Sequence, residues 1–255
     1  MTAPCVIGRK ADSVGWVAFS NLARHNALTS AMCAQLAEIL ADFDADPEVR
    51  LCVMTGDGDK AFVSGADIEG LPADGKRREG GGLLPAFTAL QDFQKPMLAM
   101  IRGWCLGGGM AVALKADLRF CATDAQFGIP AARLGVGYSL ELTRDLVAVA
   151  GPSAAKRILF TGARLPAAEA LRLGLVDEVL APEALEDRVV EIARTIAANA
   201  PLSLMTAKAA VDHVASGAGR PEDIAAMVAQ CFQSADFKEG RTAFLEKRAP
   251  VFRGA

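Results

Sequence analysis

Two short stretches carry residue types suited to holding a developing negative charge: Ala61-Phe-Val-Ser-Gly-Ala-Asp-Ile68 and Gly103-Trp-Cys-Leu-Gly-Gly-Gly109. A glycine-bearing turn can aim a backbone N–H at one point. The triplet Gly107-Gly108-Gly109 also stands ahead of an apolar run that reads as a helix, whose first N–H groups lack acceptors and whose start is the positive end of its dipole. Taken alone, such a triplet is as readily a tight turn or a phosphate cradle as a catalytic loop. No Gly-Lys-Ser/Thr follows it, which excludes a P-loop, and GGGMAV lacks the G-x-G-x-x-G spacing of a dinucleotide fold. The six cysteines, at 5, 33, 52, 105, 121 and 231, form no CxxC pair, and His25 and His213 are the only histidines. They read as reduced core thiols, and no metal site is expected.

The elements that must position these turns alternate. Residues Ser13 to Ser20 and Val49 to Thr55 are β-branched and aromatic runs that read as strands, and the segment from Thr29 to Phe43 between them has apolar residues at helical spacing after a Thr/Ser cap. The pattern recurs with a strand at Met97 to Ile101 before the glycine turn, another at Leu118 to Ala122, and an amphipathic helix at Pro152 to Phe160. Strand and helix in alternation predict an α/β fold. Residues 70 to 84 are polar and glycine-rich and read as a surface loop. From about Pro182 the chain turns helical, and Phe232, Phe237, Phe244 and Phe252 recur among charges there, an arrangement that suits core packing or a subunit interface. The expected division is a core over residues 1–190 and a helical C-terminal region over 191–255.

Composition bounds the function. An apolar fraction of 52% in 255 residues is ample for a large core. A net charge of −3 with no dense Lys/Arg cluster argues against a nucleic-acid partner. Twelve uncharged residues separate Arg102 from Lys115, short of the ~20 of a membrane helix, and no signal-peptide core is evident. A cytoplasmic protein with no membrane partner is expected.

The ordered motifs along nearly the whole chain resemble those of the enoyl-CoA hydratase/isomerase, or crotonase, superfamily. They are Asn21-Leu-Ala-Arg-His-Asn-Ala-Leu28, Met54 to Ile68, Lys95-Pro96, Gly103 to Gly109, Asp117, Phe127-Gly128, Leu159-Phe-Thr-Gly162, Ala168-Glu-Ala170, Gly174-Leu-Val176, Phe237-Lys-Glu-Gly240 and Phe244 to Phe252. The resemblance implies a spiral of repeated ββα units with a C-terminal helical region that assembles trimers, often paired into hexamers. It implies an acyl-CoA thioester as ligand, with coenzyme A arriving as part of the substrate and no separate cofactor. By the same resemblance the N–H groups of Ala66 and Gly108 form an oxyanion hole for a thioester enolate. Ser64, Gly65, Ala66, Asp67 and Ile68 line the adenine pocket, Arg24 reaches CoA phosphates, and Phe244 and Lys247 reach CoA on the same or a neighbouring subunit.

Hydratases of this family carry one glutamate after the glycine triplet and another after Phe-Gly-x-Pro; those positions here are Ala111 and Ala131. Neither alanine transfers a proton, so ordinary hydration loses both its base and its acid. The segment Leu134-Gly-Val-Gly-Tyr138 is similar to the Leu-Gly-Val-x-Tyr stretch of methylmalonyl-CoA decarboxylases, although Ala66 stands where those enzymes carry His and Ser139 where they carry Asn. Tyr138, the single tyrosine, and Glu141 are therefore the candidate acids. Decarboxylation or atypical lyase chemistry through the enolate is the favoured expectation. Hydration by an unusual residue and a non-catalytic acyl-CoA-binding assembly remain the alternatives.

Overall fold

The computed structural model describes residues 3–67 and 82–255. Among the described residues, ten strands form two sheets. The larger has six strands: β1 (Cys5–Ala11), β2 (Val14–Ser20), β3 (Leu51–Gly56), β5 (Met97–Ile101), β7 (Leu118–Ala122) and β10 (Glu178–Leu180), in that spatial order. The β1–β2 hairpin is antiparallel and every later neighbour in this sheet is parallel. The smaller sheet has four short strands in the order β4 (Ala61–Val63), β6 (Trp104–Leu106), β8 (Gln126–Gly128) and β9 (Leu165–Pro166).

The repeat is visible in this numbering. Each of β3, β5 and β7 lies in the larger sheet and is followed within a few residues by β4, β6 or β8 in the smaller one. The pairs β5–β6 and β7–β8 then lead into α3 (Gly108–Lys115) and, through a 3-10 turn at Pro130–Leu134, into α4 (Leu140–Thr161). β3–β4 precedes α2 (Leu84–Asp92). This is the ββα spiral expected from the sequence. The sequence reading had found β2, β3, β5 and β7 but not the three-residue strands of the smaller sheet, which are too short to show periodicity.

Helix α1 (Ser30–Ala45) forms where expected. The Thr29 hydroxyl accepts a hydrogen bond from Met32 N at 3.2 Å, capping an otherwise orphaned donor, and Met32, Cys33, Leu36, Leu40 and Phe43 make one buried face. That face joins the inner residues of β2, β3, β5 and β7, the smaller sheet and α2–α4 in the main core. A second core lies on the other side of the larger sheet. There Leu185, Val189 and Ala193, spaced four apart on α6 (Leu185–Ala197), cover Leu51, Val53, Leu98 and Phe120. β5 is thus buried on both faces, which is why MLAMI reads as an unbroken apolar run.

The helix expected from Pro152 is present: Gly151, at φ +76° and ψ 164°, is non-helical and divides Leu140–Thr161 into two helices, the second of which opens at Pro152. The first of the two is an addition to what the sequence predicts. The polar loop ends by Leu83, with Leu84 already in α2, and residues 70 to 81 of it lie outside the described residues. Phe232, Phe237 and Phe244 are not core residues of the single chain, being 64%, 46% and 84% exposed. The boundary placed at 190/191 falls within α6, and the tail past that helix comprises α7 (Pro201–Ser216), α8 (Pro221–Gln233) and α9 (Ala235–Glu246). α5 (Ala167–Arg172) completes the described helices.

The start of α3 is pressed onto β4. A Cβ built at Gly109 would lie 2.0 Å from the Val63 carbonyl oxygen and 2.8 Å from its carbon, so no side chain fits without parting helix from strand. Gly109→Ala is expected to lower unfolding stability by roughly 3 kcal/mol or more, measured by urea denaturation. A loss below 1 kcal/mol would contradict this close approach.

Candidate active site

Two chain segments that are distant in sequence meet at the candidate site, and each arrives with an uncommitted N–H. The first is residues 64–67, held on residues 21–28 by a set of directed hydrogen bonds. Ser64 N donates to the His25 carbonyl at 3.1 Å and Ser64 Oγ to the Arg24 carbonyl at 2.9 Å. Leu28 N donates to Gly65 O and Asp67 N to Leu28 O, both at 2.8 Å, making an isolated parallel bridge between Leu28 and Ala66. In a parallel bridge the flanking peptides carry the bonds, so the N–H of Ala66 itself points away from Leu28.

Residues 21–28 are in turn locked by two buried asparagines. Asn26 Nδ2 donates to the carbonyls of Asp57 (3.0 Å) and Ala61 (2.7 Å), while its Oδ1 accepts from Asn21 N at 3.0 Å. Asn21 Nδ2 donates to Ala27 O at 2.8 Å. Asn26 has φ +60°, a left-handed conformation that asparagine tolerates better than most residues. The two asparagines of the Asn21 to Leu28 motif therefore fix the backbone that presents Ala66.

The second segment is the end of β6 and the start of α3. Gly107 N donates to Gly128 O at 2.8 Å, ending the β6–β8 ladder, and its φ of +52° and ψ of −111° turn the chain abruptly into the helix. The first intrahelical bond is Ala111 N to Gly107 O at 3.1 Å, so the Gly108 N–H has no acceptor within the helix. A Cβ placed on Gly108 would stand 3.3 Å from Ala66 N, which puts the two segments in near contact. Among the described residues, neither Ala66 N nor Gly108 N donates to a backbone carbonyl. Two free donors at the positive end of a helix make a site for a partial or full negative charge on oxygen.

Ala111 is buried in the first turn of α3, and Ala131 is half-buried in the 3-10 turn and packed against the main core. Tyr138 follows that turn, its ring also packed on the main core and its hydroxyl oxygen buried without a hydrogen-bond partner. Burial raises its ionisation above the ordinary range, and the nearby Asp145 carboxylate and Cys105 thiol raise it further, so the phenol is neutral at physiological pH. Glu141, by contrast, is exposed in the first turn of α4.

The remaining candidates divide into two groups. Arg24, Ser64, Gly65, Ala66 and Asp67 are brought together by the bonds above, with Arg24 on the exposed side. Ile68 lies outside the described residues. Phe244 and Lys247 are exposed at the end of α9, and no hydrogen bond or ion pair among the described residues joins them to residues 24–28 or 64–67. The sequence reading did not identify Lys115 and Asp145, which form a half-buried ion pair at 2.9 Å between α3 and α4. The signal for them lay in Ser139, which caps α4 by accepting from Leu142 N and so places Asp145 on a helix beginning next to Tyr138.

Comparison with known proteins points the same way. The sequence profile described as Enoyl-CoA hydratase/isomerase matches residues 9–255. The chain is 37% identical over 232 residues to the crotonyl-CoA hydratase of Syntrophomonas wolfei, covering 89% of each. It is 34% identical over 255 residues to the (E)-benzylidenesuccinyl-CoA hydratase of Thauera aromatica, covering 96% of this chain and 97% of the relative. A crystal structure described as an enoyl-CoA hydratase/carnithine racemase from Magnetospirillum magneticum superposes with a TM-score of 0.92 at 29% identity, over 100% of this chain and 97% of the other.

Replacing Asn26 by Ala removes three buried hydrogen bonds and leaves an alanine at positive φ. The expected cost is roughly 2 to 4 kcal/mol in urea denaturation. Because Ala66 depends on that loop, the variant should also bind acyl-CoA more weakly by isothermal titration calorimetry.

Proposed function

The chain belongs to the enoyl-CoA hydratase/isomerase family, and from that premise we propose that it decarboxylates a carboxyacyl-CoA of the malonyl type through a thioester enolate. The observation that carries this reading is the pairing of two free N–H donors, on Ala66 and Gly108, with a buried neutral phenol and no glutamate at positions 111 and 131. Breaking the bond between the α-carbon and the carboxylate leaves its electron pair on the thioester, and the charge collects on the thioester oxygen. Two backbone donors suffice for that step, each worth ~10²- to 10³-fold in rate. The reaction needs no base.

Tyr138 supplies the remaining function. A phenol kept neutral by burial donates a hydrogen bond to the substrate carboxylate, and after CO₂ leaves it can pass its proton to the α-carbon. Alanines at 111 and 131 help indirectly: glutamates there would repel an anionic acyl group in a region of low dielectric. The exposed position of Glu141 favours Tyr138 over it as the proton donor.

The CoA moiety is assigned to the face formed by Arg24 and residues Ser64 to Ile68, with Phe244 and Lys247 reaching it from a neighbouring subunit. Self-association as a homotrimer or hexamer accounts for α7 and α8, which bury no residue within the chain, and for the exposure of Val214, Phe232 and Phe244.

Hydration of an enoyl-CoA is the second reading, favoured by the hydratase names of the Syntrophomonas and Thauera relatives. In that case Glu141 would have to reach the substrate. The test is to incubate the protein with malonyl-, methylmalonyl- and crotonyl-CoA and to follow CO₂ release, water addition and thioester loss. CO₂ release from a malonyl-type substrate, at least ~100-fold faster than crotonyl-CoA hydration, is expected. Tyr138→Phe should reduce it ~10²-fold or more, and Gly108→Val should abolish it while the circular dichroism melt is retained. Efficient crotonyl-CoA hydration that Glu141→Gln stops would establish the second reading instead. Binding without turnover across the panel would indicate a non-catalytic acyl-CoA-binding assembly.

A further inference from the structure

The turn that presents Ala66 leaves the larger sheet at Ser20, the last residue of β2, and one aspartate holds both of its ends. Ser20 is 8% exposed, and its hydroxyl donates to Asp57 Oδ2 at 2.6 Å. Asp57 follows β3, whose pairing with β2 ends at Phe19 and Gly56, and its N–H donates to the Phe19 carbonyl at 2.8 Å. The side-chain bond therefore carries the β2–β3 pairing past its last backbone bond, to the point where the chain departs toward Asn21. The far arm of the turn comes back to the same residue, because Asn26 Nδ2 donates to the Asp57 carbonyl at 3.0 Å. Departure and return are also joined directly, by Asn26 N to Asn21 O at 2.9 Å.

Cations stand near this carboxylate and are not its partners. Asp57 lines a cavity of about 280 Å³ on the α6 side of the larger sheet, together with Arg9, Trp16 and Arg102. Among the described residues, neither arginine pairs with Asp57: Arg9 lies over the Trp16 ring, 5.0 Å from its centroid, and Arg102 donates to the Pro182 carbonyl. An exposed ion pair would fix little, whereas a charge-assisted bond to a buried hydroxyl on the neighbouring strand fixes both backbones.

We propose that Asp57 is a positioning residue for the Ala66 donor. Its carboxylate on Ser20 and its carbonyl on Asn26 set the turn, and the bonds from Leu28 N to Gly65 O and from Asp67 N to Leu28 O pass that setting to Ala66. Each hydrogen bond in this path is 3.0 Å or shorter. The direction of an N–H matters because a hydrogen bond weakens steeply as it loses alignment. The proposal rests on the reading of Ala66 and Gly108 as donors to the thioester oxygen, and it does not depend on which reaction follows.

The test reads the thioester carbonyl itself. Acetyl-CoA labelled with ¹³C at the thioester carbon is bound to the folded protein, and the isotope-edited infrared difference spectrum gives the C=O stretch. Two aligned donors should lower this frequency in the wild-type protein below its value in water. Ser20→Ala and Asp57→Ala should each return it at least half of the way, while coenzyme A alone binds within about threefold of the wild-type affinity by calorimetry. Ser20→Thr keeps the hydroxyl and Asp57→Asn keeps a side-chain acceptor, so both should retain the wild-type spectrum. On any acyl-CoA that turns over, kcat should fall roughly tenfold in the two alanine variants at unchanged KM.

An unshifted carbonyl in both alanine variants overturns the proposal. So does a parallel loss of coenzyme A affinity, which is what a merely loosened loop would give. A wild-type frequency no lower than in water would remove Ala66 and Gly108 as donors, and the role of Asp57 with them. Absence of CO₂ release from malonyl-type substrates, with the infrared shifts as expected, would refute decarboxylation alone and leave Asp57 as the positioning residue.

Discussion

The meeting of two unpaired backbone donors, the N–H groups of Ala66 and Gly108, is the constraint on which the site depends. An N–H drawn partly out of water without a protein acceptor is costly, so a fold keeps two of them side by side only if rigid surroundings prevent either from turning to a carbonyl. The surroundings here do so by different means. Ala66 is held in a parallel bridge whose bonds belong to Gly65, Leu28 and Asp67. Gly108 is the first residue of a helix, where the geometry leaves its donor without an internal partner. Both segments hang from the smaller sheet, since residues 64–67 follow β4 and Gly107 follows β6, and β4 and β6 are paired strands. The six-stranded sheet carries the core, and the smaller sheet sets the spacing of the two donors.

Glycine is required on the helix side for a reason distinct from conformation. Gly109 must pass against the Val63 carbonyl, and Gly108 must leave room between its own N–H and that of Ala66. At Gly107, by contrast, the φ of +52° supplies a conformational reason, so the run of three glycines meets both needs.

The positions of the Ala66 and Gly108 donors and the ββα order are legible through the family resemblance, while the apolar strand runs and the α/β alternation are local signals in the sequence. Met97 to Ile101 and Leu118 to Ala122 were found with the boundaries seen in the structure. The three-residue strands β4, β6, β8 and β10 were not, since their formation is driven by pairing with partners far along the chain and not by their own pattern. Gly151-Pro152 reads as a helix beginning and is one, whereas the helix before it is illegible because the 140–150 segment is only partly buried, with Leu146 as its one fully buried residue. The Lys115–Asp145 pair was illegible for the related reason that two charges thirty residues apart show nothing in sequence of the burial that makes them matter.

The same burial bears on the chemistry that the site permits. With alanine at 111 and 131 neither family glutamate position carries a charge, while the free donors are uncharged dipoles and the phenol is neutral. An active site of this composition has little capacity to strip a proton from water, which requires a base of matched pKa. It is well suited to receiving an anion, because oriented dipoles stabilise charge without the repulsion that a second carboxylate would introduce. In the decarboxylation proposed above, loss of CO₂ would move that anion's charge from the carboxylate to the thioester oxygen. The net charge of the enclosure is unchanged in the process, so the step asks the protein for fixed dipoles at two ends and for no change in the ionisation of a side chain.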